Sequence, residues 1–372
     1  MRESGTKNEE KIAMKQMFAT GIFFLVLLDG GITCAQSVSS SVGVQFQNIL
    51  VTPNTNDQNG ASIALNPLDS ANLIIVCHDF RSGGSPLPAE MYANVSLDGG
   101  LLWTTIHLNK PTYMNFVYDP VIAFDGRGNA WCVYAAFDDF FHDNGIYVSK
   151  STDKGLTWSA PMVVSEILGS APLYFQHQEW ITCDGTGSQY SGSVYVTWKK
   201  VNPFNLDDAP VYFSRKQPDS TRFSSPVMIS DSTMWSHGTQ PIVGRDGTVY
   251  VVWERGVPGQ PFRRIMIDKS TDGGATFGLD KLVADSVYAI GPNVFNCGQT
   301  ERRLKSSFLV NSFPSAAIDR ISGTLAVVWA DNRYGDPDIL FVKSANAGST
   351  WTRPRRVNTD QQSNYRDQWF LS

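Results

Sequence analysis

The chain has 372 residues, of which 17% are charged and 12% are aromatic. This composition excludes a disordered protein, because charged residues fall below the usual quarter and the aromatic side chains supply a large core. The formal net charge of -5 provides no electrostatic attraction for nucleic acid or for an anionic membrane surface.

The N-terminus predicts an export signal. Two lysines precede the apolar run 18–28, which is too short to span a bilayer. Thr33 and Ala35 then occupy the small-residue positions of a signal-peptidase site, so we expect cleavage before Gln36. We therefore predict that residues 1–35 are a signal peptide and that the protein is secreted or displayed at the cell surface. A buried apolar strand is the structural alternative for the same run.

The four cysteines after the signal could form two disulfides in an exported protein. Cys77, Cys132 and Cys183, however, lie inside apolar segments of β type, and Cys297 lies in a polar one. Cysteine in an apolar strand most often acts as a small buried hydrophobe. We therefore expect free thiols in the core.

A short pattern recurs along the chain at intervals of about 55 to 75 residues, the size of one four-stranded blade. It reads VSLDGGLLW, KSTDKGLTW, KSTDGGATF and KSANAGSTW, and a decayed fifth copy, KQPDSTRFSSP, keeps only its aromatic residue and its proline. We call the four good copies the boxes. Their shared residues are Ser96, Asp98, Gly100 and Trp103; Ser151, Asp153, Gly155 and Trp158; Ser270, Asp272, Gly274 and Phe277; and Ser344, Asn346, Gly348 and Trp351.

The surroundings of each box repeat as well. A hairpin of two apolar runs precedes each box, and a short strand follows it, while no segment after the signal has a helical period. The pattern predicts an all-β propeller. Its blades are expected at approximately 57–108, 109–166, 167–231, 232–286 and 287–359.

The boxes resemble the Asp box, Ser-x-Asp-x-Gly-x-Thr-Trp, of the sialidase-like (BNR-repeat) β-propeller superfamily, over about residues 45–360. This resemblance implies six blades and an activity on glycans, with exo-α-sialidase as its narrowest form. The chain has a terminal segment, 360–372, that looks like the start of a further blade, and residues 47–53 look like an outermost strand. We therefore expect a propeller over 36–372 with five complete blades and a truncated last one; a divergent, open native end is the alternative.

The meander topology separates two faces. The tight hairpins and the boxes share one, the box face, whereas the loops after the second strands and the starts of the first strands share the other, the loop face. We expect ligands on the loop face. There Asp119 and Glu179 could converge, and paired carboxylates serve as acid and base or nucleophile in a glycosidase. Arginine recognises carboxylates and phosphates, so the substrate-binding candidates are Arg81, Arg255 and Arg333, together with Gln240.

Structural interpretations stand beside these candidates. The segments Asp79-x-Arg81 and Asp331-x-Arg333 occupy equivalent repeat positions, which favours structural ion pairs. His177, like His142, is expected to be a solvated loop histidine. The box aspartates are expected to accept hydrogen bonds from backbone N–H groups of their own turn. No Cys/His pair has zinc spacing and no glycine-rich phosphate loop is present, so neither metal nor cofactor is expected.

The resemblance does not extend to a catalytic set. Active sialidases carry three arginines, an Asp acid/base, a Tyr nucleophile paired with Glu, and an Arg-Ile-Pro tripeptide, and the tripeptide is missing here. Three hypotheses remain open. The protein is a secreted sialidase-like glycosidase, a non-catalytic propeller that binds glycan or protein, or a module of a longer cell-surface protein.

Overall fold

The computed structural model describes residues 48–52, 58–80, 90–139, 142–169, 174–290, 303–304 and 308–369. The chain divides into two compact units, one of residues 1–53 with Ser372 and one of residues 54–371. In the first unit, the predicted signal peptide lies outside the described residues. Residues 48–52 form no strand, so the outermost strand expected over 47–53 is not seen in its described part.

The described part of the second unit is built from strands and irregular segments. Its five four-stranded antiparallel sheets each keep their strands in chain order. The strands are β1 Gln58–Leu65, β2 Leu73–Asp79, β3 Glu90–Ser96 and β4 Thr104–Leu108; β5 Phe116–Phe124, β6 Ala130–Phe137, β7 Asn144–Ser151 and β8 Met162–Ile167; β9 Phe175–Cys183, β10 Val194–Val201, β11 Val211–Lys216 and β12 Val227–Met228; β13 Ser236–Val243, β14 Val249–Gly256, β15 Arg263–Ser270 and β16 Lys281–Val287; a hairpin of β17 Arg303–Leu304 and β18 Phe308–Leu309; and β19 Ser315–Ile318, β20 Leu325–Asp331, β21 Asp338–Ser344 and β22 Arg355–Arg356.

The first strands β1, β5, β9, β13 and β19 neighbour one another in sequence order, which is the arrangement of propeller blades around an axis. Each of the five sheets lies inside one expected blade span to within one residue, since β8 ends at Ile167 and β16 at Val287. The all-β, bladed architecture is thus confirmed. Six as the number of blades stays a prediction.

The core lies between neighbouring sheets. The second strands read as near-continuous apolar runs because both of their faces are covered, and Trp198, Trp253 and Trp329 are fully buried at equivalent places on β10, β14 and β20. Cys77, Cys132 and Cys183 are buried free thiols, as predicted, and Cys297 lies outside the described residues.

The box turns are closed by their own side chains. In the second box, the Ser151 hydroxyl donates to Asp153 Oδ1 (2.8 Å) and accepts from the Gly155 N–H (2.8 Å), while Asp153 Oδ1 accepts from the Thr157 N–H (2.9 Å). Trp158 Nε1 donates to the Gly155 carbonyl (3.0 Å), and the ring packs on the core between the first two sheets. The predicted acceptance of backbone N–H groups is therefore confirmed, and the other three boxes repeat it.

The boxes of the second and fourth sheets contact the sheet that precedes each of them. The Lys154 carbonyl accepts from Asn72 Nδ2 (3.1 Å), and the Lys154 ammonium pairs with Asp69 (2.7 Å). Likewise, Arg215 Nη1 of the third sheet donates to the Gly273 carbonyl in the next box (2.8 Å). The hairpins and boxes therefore lie on one face, as the topology predicts.

The segment 360–369 follows an irregular path and forms no strand. Its backbone is bonded elsewhere, because the Gln368 N–H donates to the Pro337 carbonyl (2.8 Å) and the Tyr365 N–H donates to Asp336 (2.8 Å). The loop between β20 and β21 thus holds this segment. The assignment of 360–372 to another blade stays a prediction.

Candidate functional site

The first strands of four sheets share a β-bulge at which one residue has a positive φ angle. That residue is Gly60 on β1 (61°), Asp119 on β5 (51°), Gln178 on β9 (56°) and Gly238 on β13 (62°). In each strand the pairing register with the second strand shifts at this point. A bulge of this kind re-aims a strand and is common beside active sites.

Two of these four positions carry polar side chains where glycine is the unstrained choice. Gly238 is held to glycine by space as well, since a Cβ there would lie 2.6 Å from Phe313 Cβ. A non-glycine residue with positive φ costs about 1–3 kcal/mol and persists where the surroundings enforce it, often at functional sites. The backbone at Asp119 and Gln178 therefore marks this end of the inner strands as the candidate site.

Glu179 directly follows Gln178, the bulge residue of β9. It is 2% exposed, and neither of its carboxylate oxygens has a hydrogen-bond partner among the described residues. Burial, and then the charge of Asp119, raise the pKa of Glu179 well above its ordinary value. The backbone N–H groups of Glu179 and Ala135 lie near the carboxyl group and partly oppose the rise, although neither meets the geometry of a hydrogen bond to it. The carboxyl group of Glu179 is therefore held in its protonated form far above the pH at which a solvated glutamate ionises.

Asp119 is half-buried and lies close enough to Glu179 for the two carboxyl groups to interact. Burial raises the pKa of Asp119, and the charge of Lys199 lowers it. Lys199, on β10, is fully buried, and its ammonium group contacts His237 Nε2. The structure thus brings the two predicted carboxylates together beside a buried cation.

His177 departs from its expected place in a solvated loop. It lies on β9 opposite Lys199, and its ring centroid is 6.5 Å from that of His237. Its Nε2 is buried and has no hydrogen-bond partner in the part of the chain that the structure describes. Burial, and then the charge of Lys199, lower the pKa of His177 well below its ordinary value. The expectation was wrong because β9 begins earlier than the polar segment around His177 indicates. His142 is exposed, as expected.

The other predicted binding residues are engaged within the protein. Gln240 Oε1 accepts from the Ala316 N–H (2.6 Å) and so ties β13 to β19. Arg255 pairs with Asp280 (3.3 Å), and burial, followed by the charge of Asp231, raises the pKa of Asp280 to about 6. Contact of Gln240 or Arg255 with a substrate stays a prediction.

Arg333 has the structural role that its repeat position favours. Its guanidinium donates to both carboxylate oxygens of Asp331 (2.9 and 2.7 Å) and to the Ser286 carbonyl (3.0 Å). Asp331 in turn accepts from Trp329 Nε1 (2.9 Å). Arg81 lies outside the described residues, so its predicted role stays untested.

The arrangement combines two carboxyl groups in unlike surroundings. Glu179 is covered and has a raised pKa, whereas Asp119 is more exposed and feels the charge of a lysine. Such a pair can supply a proton to a leaving oxygen and a negative charge to an electron-poor carbon. No group of three or more His, Cys, Asp or Glu side chains in the described ranges is arranged to hold a metal ion. The same ranges contain no helix long and apolar enough to cross a membrane.

Sequence reasoning missed His237 and did not weigh Lys199 as part of the site. A signal was available, because the inner strands align as HQEW around Gln178 and HGTQ around Gly238, which places His177 and His237 at equivalent positions. In the sequence, Lys199 stands near the end of an apolar strand, where lysine side chains are usually solvated. Its burial follows from packing between sheets, which no local pattern predicts.

These features define a class: an all-β bladed protein with Asp boxes on one face and a carboxylate pair at the other end of its inner strands. No family model matches the chain. Over 180 residues it is 26% identical to a sialidase of Bacteroides fragilis (strain YCH46), and the match covers 40% of this chain. The chain spans 33% of the length of that relative.

Solved structures share the fold over most of the chain. An α-L-arabinofuranosidase of Fusarium graminearum in complex with arabinobiose has a TM-score of 0.53 at 14% identity, covering 83% of this chain and 84% of that one. An α-L-arabinanase of Penicillium chrysogenum gives 0.52 at 13% identity (79% and 80%), and an ulvan lyase gives 0.53 at 11% (80% and 69%). The chain therefore shares its fold with these enzymes, and its likeness to a sialidase agrees with the resemblance that the boxes carry.

Proposed function

We propose that this protein is a glycan-active enzyme, and that it is a glycoside hydrolase which uses Asp119 and Glu179. The carrying observation is the pair itself: a buried carboxyl group with no hydrogen-bond partner among the described residues lies near a second, more exposed one. The propeller enzymes with the same fold act on arabinose-containing glycans and on ulvan, according to their names. Their likeness supports the kind of ligand.

In this proposal, Asp119 is the carboxylate that the sugar reaches first. It attacks or shields the anomeric carbon, or activates a water molecule against it, while the glycosidic C–O bond breaks. Glu179 supplies the proton that the departing oxygen takes up, so charge and atoms balance at that oxygen. The charge of Lys199 partly offsets the rise that burial causes in the pKa of Asp119, whereas the pKa of Glu179 is raised by both burial and the charge of Asp119.

The narrower assignment, an exo-α-sialidase, requires cationic side chains for the sugar carboxylate. Arg255 and Arg333, two candidates for that role, are each paired with an aspartate. We therefore include an α-sialoside as one arm of the test. Secretion or surface display remains part of the proposal and rests on the N-terminal sequence pattern.

The test is turnover across a panel of fluorogenic α-sialosides, α-L-arabinofuranosides and other exo-glycosides, with arabinan and ulvan as polymers. We expect wild-type turnover of at least one substrate, and a loss of roughly 10²–10⁴-fold in Asp119→Asn and in Glu179→Gln. Asp69→Asn is the matched control, because it removes a carboxylate–lysine pair on the box face. Unchanged rates in both site variants, or no turnover of any substrate, would contradict the proposal.

A non-catalytic glycan-binding propeller is the second candidate function. The observation in its favour is that Glu179 is 2% exposed, whereas an acid catalyst must reach the leaving oxygen. Binding of a glycan without turnover, by a protein that stays folded under the assay conditions, would favour this candidate.

A further inference from the structure

The two faces differ in the large apolar side chains that they expose. Every exposed large aromatic side chain of the described residues lies on the loop face, and Phe204 (85% exposed) and Tyr365 (83%) are the most exposed of them. The others are Tyr113, Tyr288 and Tyr334. The hairpins and boxes of the opposite face expose only aliphatic ones: Leu68, Leu97, Leu101, Leu102, Leu156, Leu279 and Ile321.

The loop that carries Phe204 has a fixed conformation. It joins β10 to β11 and closes on itself, since the Asn202 N–H donates to the Asp208 carbonyl (2.9 Å) and the Phe204 N–H donates to Asn202 Oδ1 (2.9 Å). Beneath it, Leu206 packs on a small cluster that includes Trp235. Leu206 thus fills the apolar contact that anchors the loop, and Phe204 is left outside it.

Phe204 stays exposed although its loop already has an apolar anchor in Leu206. A single exposed apolar side chain is common on protein surfaces, whereas several on one surface mark a binding site. Phe204 shares the loop face with four exposed tyrosines. The Phe204 ring belongs to the strand end that carries Lys199, and so to the same face as Asp119 and Glu179.

An aromatic ring on the same face as a carboxylate pair fits the chemistry of a sugar. The negative face of an aromatic ring attracts the polarised C–H groups on one side of a pyranose or furanose ring. Nucleic-acid bases also stack on aromatic rings, but the net charge of -5 opposes a polyanion. An aliphatic surface, such as the box face presents, lacks this interaction.

We propose that Phe204 is a specificity-determining residue that stacks on one sugar ring of the substrate, next to the ring held at Asp119 and Glu179. The preferred ligand is therefore an oligosaccharide or polysaccharide rather than a single terminal sugar on a small leaving group. This inference rests on the proposed function for the location of the second sugar.

The test compares Phe204→Ala, Phe204→Trp and Leu279→Ala, the last being a matched control with a 74% exposed side chain in the box region of the opposite face. The readouts are retardation in native gels that contain arabinan, ulvan or sialylated mucin, and the kinetic constants on oligosaccharides against aryl monosaccharides. We expect Phe204→Ala to weaken retention and to raise KM on oligosaccharides roughly tenfold, with kcat on aryl monosaccharides unchanged. Phe204→Trp keeps the binding, and Leu279→Ala behaves as wild type.

The outcomes separate this inference from the proposed function. If the protein shows no turnover but Phe204→Ala loses retention in the gels, the stacking role of Phe204 is supported and the proposed enzymatic function is rejected. If the protein turns over a substrate but Phe204→Ala leaves KM unchanged, or Leu279→Ala shows equal losses, the stacking role is rejected and the enzymatic function stands. Retention on none of the three polymers also rejects the stacking role. The melting temperature of Phe204→Ala should equal that of wild type, because the removed ring makes little contact with the protein.

Discussion

Burial of the Glu179 carboxylate, which has no hydrogen-bond partner among the residues described, makes its ionised form unfavourable in the folded protein. The folded protein therefore binds this proton more tightly than the unfolded chain does, since the pKa of Glu179 is raised on folding. The stabilisation from the bound proton is complete below the unfolded pKa and is lost as the pH rises through the folded pKa. Packing alone would not require an ionisable side chain at this position.

The Glu179→Gln variant should accordingly be more stable than wild type at alkaline pH. Removing the charge relieves about 1–3 kcal/mol, the cost of an unpaired buried polar group, and each kcal/mol shifts the melting temperature by about 2–4 °C. Thermal unfolding at pH 4 and pH 8 measures the effect. We expect no difference between the two proteins at pH 4 and a higher melting temperature for the variant at pH 8.

Asp69→Asn again serves as the control, because its carboxylate is partly solvated and paired at the surface. A Glu179→Gln protein that is less stable than wild type at both pH values would show that the carboxylate has a structural partner. Such a result would remove the physical basis for Glu179 as a proton donor.

At this scale the sequence predicts part of the candidate site. Repeat alignment puts Asp119 and Glu179 at the starts of neighbouring first strands, and the structure brings them together. The ion-pair partner of Arg255 could not be predicted from the sequence, because Asp280 lies 25 positions further along the chain, on the other side of a box. For Arg333 the partner is two positions away, and the repeat indicated it.

The box turn is the element that couples neighbouring sheets. Trp158 packs on the core that contains Ile74 and Val95 of the first sheet, and Gly155 faces the same side chains. Its φ of 94° and the 2.6 Å from an added Cβ to Ile74 Cδ1 explain why glycine stands there. The box therefore contributes to the stability of the interface between two blades.

Trp158→Ala should lower the free energy of unfolding by about 2–3 kcal/mol, because a large ring leaves a partly buried site. Urea unfolding measures this loss, and glycan retention in native gels checks that the loop face is unaffected. Leu156→Ala in the same box is the control, since Leu156 is exposed and its removal should change stability little. Normal stability of Trp158→Ala together with lost retention would place the box in a ligand site instead.

The elements themselves were largely predictable, for a physical reason. Apolar runs of period two, glycine-containing hairpins and the boxes are all local signals, and each sheet is a meander of consecutive strands. The segment 360–369 was not predictable, because its conformation depends on Asp336 and Pro337 in a loop of the preceding sheet. Strand-like composition does not determine where such a backbone finds its hydrogen-bond partners.

At the scale of the whole second unit, the two faces differ in their hydrogen bonding and in the side chains that they expose. The box face is closed by hydrogen bonds between turns and hairpins, and its exposed apolar side chains are aliphatic. The loop face carries the strained bulges of β5 and β9, the Asp119–Glu179 pair and the exposed aromatic rings. Topology alone predicted which loops share a face, whereas the burial of Lys199 and His177 needed the packed structure.

A crystal structure of Glu179→Gln soaked with the oligosaccharide that wild type cleaves or retains best tests this division most directly. We predict sugar density on the loop face, with one ring against Asp119 and a neighbouring ring stacked on Phe204. Density on the box face around Trp158, with the Asp119 region empty, would contradict the account.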